Sequence, residues 1–416
     1  MLKRVFILAS FAAISFNTFS QVISDSVTLG PNYSNQVFYQ LSTGTKTTAS
    51  NTDWDMQFFS SLFSASIRVN SGNGVELFFA SSTDTTGFSS TTLDTSNLTI
   101  MRDGYSSWEE DAFTSQQTGH PNYGWGNYQG LGNIFGNKIY VIKLTSGVFK
   151  KVWINNFKTA GTLTFTVADL DGSNLVAKTI NRSNYSTKRH FYYDVENDSI
   201  LDSEPAKTAW ELVFRTYNDK IAPNFYYDIT GALSNYNLGI TEARGIATAT
   251  AKANFASYSL DSSINVIGAD WKNFNNTTFQ WMIEDSLSYI MKDYNGDVYQ
   301  LIFTGTSGGS TGKMYFTKEK IAYASVEENS PVVNLGVFPN PTTNTLNINF
   351  ELNNSSENTD IKLIDANGRV VKIISSSNTF QGFNRISTDV SELSKGIYFL
   401  TIQSGNSIVT KRIVKQ

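Results

Sequence analysis

The chain has 416 residues, and its 32 Lys and Arg against 36 Asp and Glu leave a formal charge of −4. That balance excludes a surface that attracts nucleic acid as a whole. With no cysteine, disulfides, thiolate metal sites and cysteine nucleophiles are excluded as well, whereas 29 Phe, 20 Tyr and 7 Trp among small polar residues favour short strands joined by turns.

In chain order, Lys3 and Arg4 precede the apolar run Val5 to Phe16, and Ser20 precedes a cleavage point at Gln21, so residues 1–20 read as a signal peptide. No later run is long and apolar enough to cross a bilayer, which predicts a mature chain without a transmembrane helix. Residues 21–325 read as a β-rich body of one or two subdomains. Ile139 to Leu144, Val148 to Ile154, Thr162 to Val167 and Tyr299 to Thr304 have the β-branched and aromatic alternation of half-buried strands. Asn295-Gly296 predicts a hairpin closed by a type I′ turn. The Ser/Thr-rich tract Ser81 to Ser96 reads as a surface loop, and Glu242 to Phe255 is open between helix and strand.

A short repeat is visible: Asp53-Trp54-Asp55-Met56-Gln57-Phe58 and Ala209-Trp210-Glu211-Leu212-Val213-Phe214 share Trp, acid, apolar, any, Phe. Strand alternation predicts that Trp and Phe of each copy share a core face, with a ligand platform as the alternative. Residues 326–334 are polar and contain Pro331, as a linker would. Residues 335–416 then carry about six short strands, predicting a small antiparallel β-sandwich and making the whole chain all-β.

The C-terminal motifs are Val337-Phe338-Pro339-Asn340-Pro341-Thr342, Ile364-Asp365-Ala366-Asn367-Gly368-Arg369, Leu393-Ser394-Lys395-Gly396-Ile397-Tyr398 and the tail Thr410-Lys411-Arg412-Ile413. Together they resemble the type A sorting domain of the type IX secretion system. The resemblance implies export to the cell surface or medium of a Bacteroidetes-type bacterium and the secretion machinery as partner. Pro339, Asn340, Pro341, Gly368, Gly396, Lys411 and Arg412 would be its signal residues.

Thr52 to Phe58, Ile67 to Gly72, Trp210 to Arg215, the hairpin Tyr289 to Thr304 and Lys313-Met314-Tyr315-Phe316 resemble the HmuY family of haem-binding surface proteins. That resemblance implies haem or a related tetrapyrrole held by axial side chains. The chain offers His190 and His120 as iron ligands, since imidazole is a good axial donor. Lys188 and Arg189 would meet propionates, and Phe191 or Tyr193 would cover the macrocycle. The alternative is an adhesin-like module for glycan or protein, using the aromatic loop from Tyr105 to Tyr128, with Tyr123, Trp125 and Tyr128 as the platform. Catalysis has little support. No serine elbow with a credible partner and no zinc-protease or nucleotide motif is present. Trp108-Glu109-Glu110-Asp111 reads as a solvent face, and Asp169 to Ser173 as a hairpin turn rather than a calcium loop.

Overall fold

The computed structural model describes residues 21–62, 64–81, 85–90, 92–223, 225–321, 332–352, 359–375, 382–404 and 407–416. The predicted signal peptide, part of the Ser/Thr-rich tract and most of the predicted linker lie outside the described residues. What is described is nearly all β, as the composition suggests.

Leads of three strands alternate with longer runs along the body. The first lead is β1 (Val22–Thr28), β2 (Asn35–Tyr39) and β3 (Lys46–Ser50). A long run follows: β4 (Met56–Phe59), β5 (Ile67–Val69), β6 (Glu76–Ser81), β7 (Thr99–Met101), β8 (Gly126–Tyr128), β9 (Asn133–Gly136), β10 (Ile139–Lys143), β11 (Phe149–Lys158) and β12 (Thr162–Asp169). The second lead is β13 (Val176–Asn181), β14 (His190–Asp194) and β15 (Ser199–Leu201). The second long run is β16 (Leu212–Ala222), β17 (Phe225–Ser234), β18 (Ile240–Arg244), α1 (Thr248–Ala253), β19 (Lys272–Asn275), β20 (Gln280–Ile283), β21 (Leu287–Lys292), β22 (Val298–Thr306) and β23 (Lys313–Ile321). The ambiguous stretch from Glu242 thus divides between β18 and α1.

Two compact units emerge. The first takes residues up to 52 with 208–216 and 229–323; the second takes 53–207, 217–228 and 324–416. In the first unit the sheets run β1-β23-β22-β21-β18 and β17-β16-β2-β3. In the body part of the second they run β13-β12-β11-β10-β6, with β7 to β9 attached, and β15-β14-β4-β5. Each lead therefore pairs with the long run that does not directly follow it in sequence. In each of these two pairs the sheets face one apolar core, and β19-β20 forms a separate two-stranded sheet. Phe58 and Phe191 meet Phe165 and Ile154 in the second unit, and Phe214 and Tyr39 meet Phe303 and Phe316 in the first.

The short Trp repeat marks a duplication of this frame. Met56 lies opposite Tyr193 and Phe58 opposite Phe191; in the other unit Leu212 lies opposite Tyr39 and Phe214 opposite Val37, in the same register. Asp55 N–H donates to Tyr193 O and Glu211 N–H to Tyr39 O, both at 2.9 Å. The Asp55 carboxylate accepts from Val195 N–H at 2.7 Å and the Glu211 carboxylate from Leu41 N–H at 2.8 Å. Asn70 Nδ2 donates to Trp54 O and Asn235 Nδ2 to Trp210 O, each at 2.9 Å. The acid of each motif thus satisfies a backbone donor where the lead strand ends, a buried group that would otherwise carry a desolvation cost.

Trp and Phe of each motif do not share a face. Trp54 packs on Tyr192 at 5.1 Å, while Phe58 stacks on Phe191 at 5.2 Å, and adjacent strand residues point to opposite sides. The reason is that Trp54 precedes β4, so the period-2 rule does not extend to it.

The β21–β22 hairpin forms as predicted, with different turn chemistry. Gly296 has φ 84°, but Asn295 is not at positive φ. Instead Asp293 Oδ1 accepts from Asn295 N–H and Asp297 N–H, both at 2.9 Å, so the carboxylate organises the turn.

The C-terminal residues form β24 (Val332–Phe338), β25 (Thr345–Leu352), β26 (Thr359–Asp365), β27 (Val370–Ser375), β28 (Gly382–Asp389), β29 (Gly396–Ser404) and β30 (Ser407–Lys415). They pair as β24-β25-β28 and β27-β26-β29-β30 around a core of their own that includes Leu346, Ile348, Phe350, Leu363 and Leu400. Strand β24 begins at Val332, within the stretch read as linker.

Candidate functional site

His190 opens β14 and points away from the unit's core, with its ring only 2% exposed. Its Nδ1 lies 3.0 Å from Glu204 Oε2, which also accepts from Tyr192 Oη at 3.2 Å. Arg189 N–H donates to Glu204 Oε1 at 2.8 Å, and the Lys188 ammonium donates to the Glu204 carbonyl. Phe59 and Trp108 close over the imidazole with centroids at 5.1 and 5.0 Å. Burial holds the imidazole below its usual pKa against the pull of Glu204, so the ring is neutral at neutral pH and donates an Nδ1–H hydrogen bond to the carboxylate. Among the described residues its buried Nε2 has no hydrogen-bond partner.

This arrangement corrects two expectations. Tyr193 points to the opposite face of β14, into the core against Phe165, and its hydroxyl donates to Asp198 at 2.6 Å. Strand alternation therefore prevents Tyr193 or Phe191 from covering a ligand on His190. The Lys188 ammonium is engaged by the Glu204 carbonyl and lies 3.4 Å from Asp202, and Arg189 is itself buried, with its backbone N–H on Glu204.

The loop from Asp103 to Asp111 covers this face, and Arg68 organises it. The buried guanidinium donates to the carbonyls of Gly104 at 2.6 Å, Ser107 at 3.1 Å and Glu110 at 2.8 Å, and lies 4.6 Å from the Tyr105 ring. Nothing local in the sequence marks this role of Arg68, because its partners come from a distant loop. Trp108 and Asp111 are buried, so the acidic stretch is not a solvent face, although Glu110 is exposed. Asp111 accepts from Thr114 N–H at 2.9 Å and Thr114 Oγ1 at 2.7 Å.

Burial pushes the Asp111 carboxyl up to about 7, with Asp103 adding to the shift. Its proton is retained in the folded chain and lost in the unfolded one as pH rises above about 4. The contribution is therefore fully present below the unfolded value and disappears as pH rises through about 7. Its slope is ~1.4 kcal/mol per pH unit. Urea melts of Asp111→Asn should lack this component, most clearly between pH 6 and 7, since burial raises the neighbouring frame residue Asp55 only to about 6. Parallel pH profiles for wild type and variant would refute the assignment.

His120 lies elsewhere, on the exposed loop before β8, with ring centroids 4.8 Å from Tyr128 and 6.3 Å from Tyr123. Among the described residues the two histidines share no ring neighbour. Trp125 is 0% exposed, and its Nε1 donates to Ala65 O at 3.0 Å, so it is a core residue and leaves the predicted platform. Tyr123 and Tyr128 are half-buried at the edge of that core. Among the described residues, no group of three or more His, Asp or Glu is placed to hold a metal ion.

In the C-terminal module two separate motifs meet. Asn340 Nδ2 donates to Arg412 O at 2.9 Å, and its Oδ1 accepts from Val414 N–H at 2.8 Å, fastening the Pro339-Asn340-Pro341 bend to β30. That strand carries Lys411 and Arg412. Gly368 closes the β26–β27 turn at φ 80°. Gly396 opens β29, and an added Cβ there would meet nothing nearer than 3.9 Å.

Residues 336–416 match the family described as "Secretion system C-terminal sorting domain". The chain is thus a type IX secretion cargo, secreted or placed on the outer surface. No curated protein matches it. Among solved structures it is similar to dimeric latent PorU from Porphyromonas gingivalis, at 10% identity and TM-score 0.19, covering 74% of this chain and 33% of that one. It is also similar to PorZ of the same organism, at 12% identity and TM-score 0.16, covering 77% and 50%. A biofilm-associated protein BSP domain follows at 10% identity and TM-score 0.17, covering 100% and 85%. The chain thus spans about a third and half of the lengths of the first two. The family match lies wholly outside the body, where the HmuY resemblance was read.

Proposed function

We propose that the exported body acts at the cell exterior as a non-enzymatic, adhesin-like module that binds glycan or surface protein. The observation that carries this reading is the exposed imidazole of His120 tilted against Tyr128, with Tyr123 edge-on beside it. Such rings present an apolar face and a polar edge together, which suits a ligand that is only partly apolar. The enclosure of His190 by Phe59, Trp108 and Glu204 favours this reading over haem carriage, because a porphyrin needs an open face on the imidazole.

Two measurements test it. Titrating the full chain with haemin at micromolar concentration should give no saturable Soret shift. A saturable shift abolished by His190→Ala would reinstate haem carriage. On a polysaccharide and surface-protein array, Tyr128→Ala and His120→Ala should lower retention by about tenfold, ~1.4 kcal/mol. Unchanged retention in both variants would remove this rim as the site.

A further inference from the structure

The two copies of the body depart from their shared frame at the same place. In the second unit the chain leaves between β6 and β10, and in the first between β18 and β21, which are equivalent strands of the five-stranded path. One excursion carries His120, Tyr128 and the β8–β9 hairpin; the other carries α1 and the β19–β20 hairpin. Each hairpin ends in a bulky apolar residue at positive φ. Leu131 has φ 51° and is 94% exposed, and Phe279 has φ 54° and is 77% exposed. A bulky side chain in the left-handed region is strained, and in water it returns no packing. Neither residue has a reason inside the fold. A contact outside the chain would supply one.

We propose that the β19–β20 hairpin is a second binding platform, specific for a neutral polysaccharide. The proposal rests on the reading above only in treating both excursions as binding loops on one duplicated scaffold. Phe274 and Trp281 are a cross-strand pair with centroids 5.1 Å apart, and both remain accessible to solvent. Trp281 is seated against Gly308, where a Cβ would come within 2.5 Å of the indole Nε1, so only glycine leaves the ring in this position. From Asn273 to Ile283 no residue is charged, and amides and hydroxyls alternate with the rings. Ring faces suit the C–H faces of sugars, and neutral amides suit their hydroxyls. An acidic polymer would call for cations along the hairpin, and a protein hot spot is commonly built around Arg as well as aromatic anchors. The hairpin's cation, Lys272, is committed to the Thr230 carbonyl with its ammonium 5.7 Å from the Trp281 ring, and residues 273–283 add neither Lys nor Arg.

The test is affinity electrophoresis of the full chain through gels containing soluble β-glucan, galactomannan or, as the anionic comparison, alginate. Wild type should be retarded by at least one neutral polymer. Phe279→Asn and Trp281→Ala should each lower that affinity about tenfold or more. Phe279→Asn should leave the thermal melt unlowered, because the ring is exposed and Asn tolerates positive φ; this variant keeps the test valid if Trp281→Ala misfolds. Retardation by alginate alone would overturn the neutral class. Retardation unchanged in Phe279→Asn and Trp281→Ala but lost in Tyr128→Ala would overturn the hairpin site while leaving the rim reading intact. No retardation by any neutral polymer would overturn this proposal, with the array result deciding the rim separately.

Discussion

Removing residues 331–416 is expected to leave the body folded while the protein accumulates in the periplasm and disappears from the cell exterior. Strands β24 to β30 pair only among themselves among the described residues and enclose their own apolar cluster. The body loses no strand of its sheets when they go. Each part thus has what independent folding requires, a core it does not share. Export is the opposite case, because the family match lies entirely within the removed residues. Within the module, Asn340→Ala should weaken export without abolishing the fold, since it removes two hydrogen bonds that fasten the proline bend to β30 and none from the core. Fractionation with a melt of the periplasmic species reads both halves of the prediction. Normal surface display of the truncated chain would refute the sorting assignment, and an unfolded periplasmic species would refute the independence of the body.

The strands were legible because alternation and turn chemistry are local. Tyr299 to Thr304 and Thr162 to Val167 fall within β22 and β12, and Gly296 sits where the β21–β22 turn needs positive φ. Partner choice was not legible. A period-2 pattern states which face is buried but not which strand lies alongside, so the pairing of each lead with the distant long run left no signature beyond the two Trp motifs. Their likeness is carried by backbone hydrogen bonds that Asp and Glu serve equally well, which is why few residues repeat. The candidate site failed for a related reason. The basic and aromatic neighbours of His190 looked like a pocket when read as a string, yet a strand sends Tyr193 to the other side, and the covering residues Trp108 and Glu204 come from other parts of the chain. Trp125 misled in the same way. A glycine-rich surround suggested a surface loop, whereas Gly126 packs so close to the Phe135 carbonyl that the chain there lies tight against β9 and the indole goes inward.

Truncating either motif tryptophan should cost about the same, because the two rings occupy equivalent places in a duplicated frame. Trp54 and Trp210 are each 1% exposed. Each lies against one aromatic of the lead strand, Tyr192 at 5.1 Å and Phe38 at 5.0 Å. Each has its carbonyl held by an asparagine side chain, Asn70 or Asn235. Replacement by Ala removes a large buried ring and leaves a cavity the surrounding strands cannot close, a loss of ~3–5 kcal/mol. Because the motif joins a long run to the lead that pairs with it, the loss should loosen that pairing. Limited proteolysis of Trp54→Ala should cut first within residues 53–207, and of Trp210→Ala first within 208–216 or 229–323. Denaturant melts give the magnitude and the cleavage sites give the location. A loss below about 1 kcal/mol in either variant is outside the range for a buried aromatic and would show that its ring is not part of the core. Costs that are both large but lead to the same first cleavage sites would show that the two copies do not act as separate structural units.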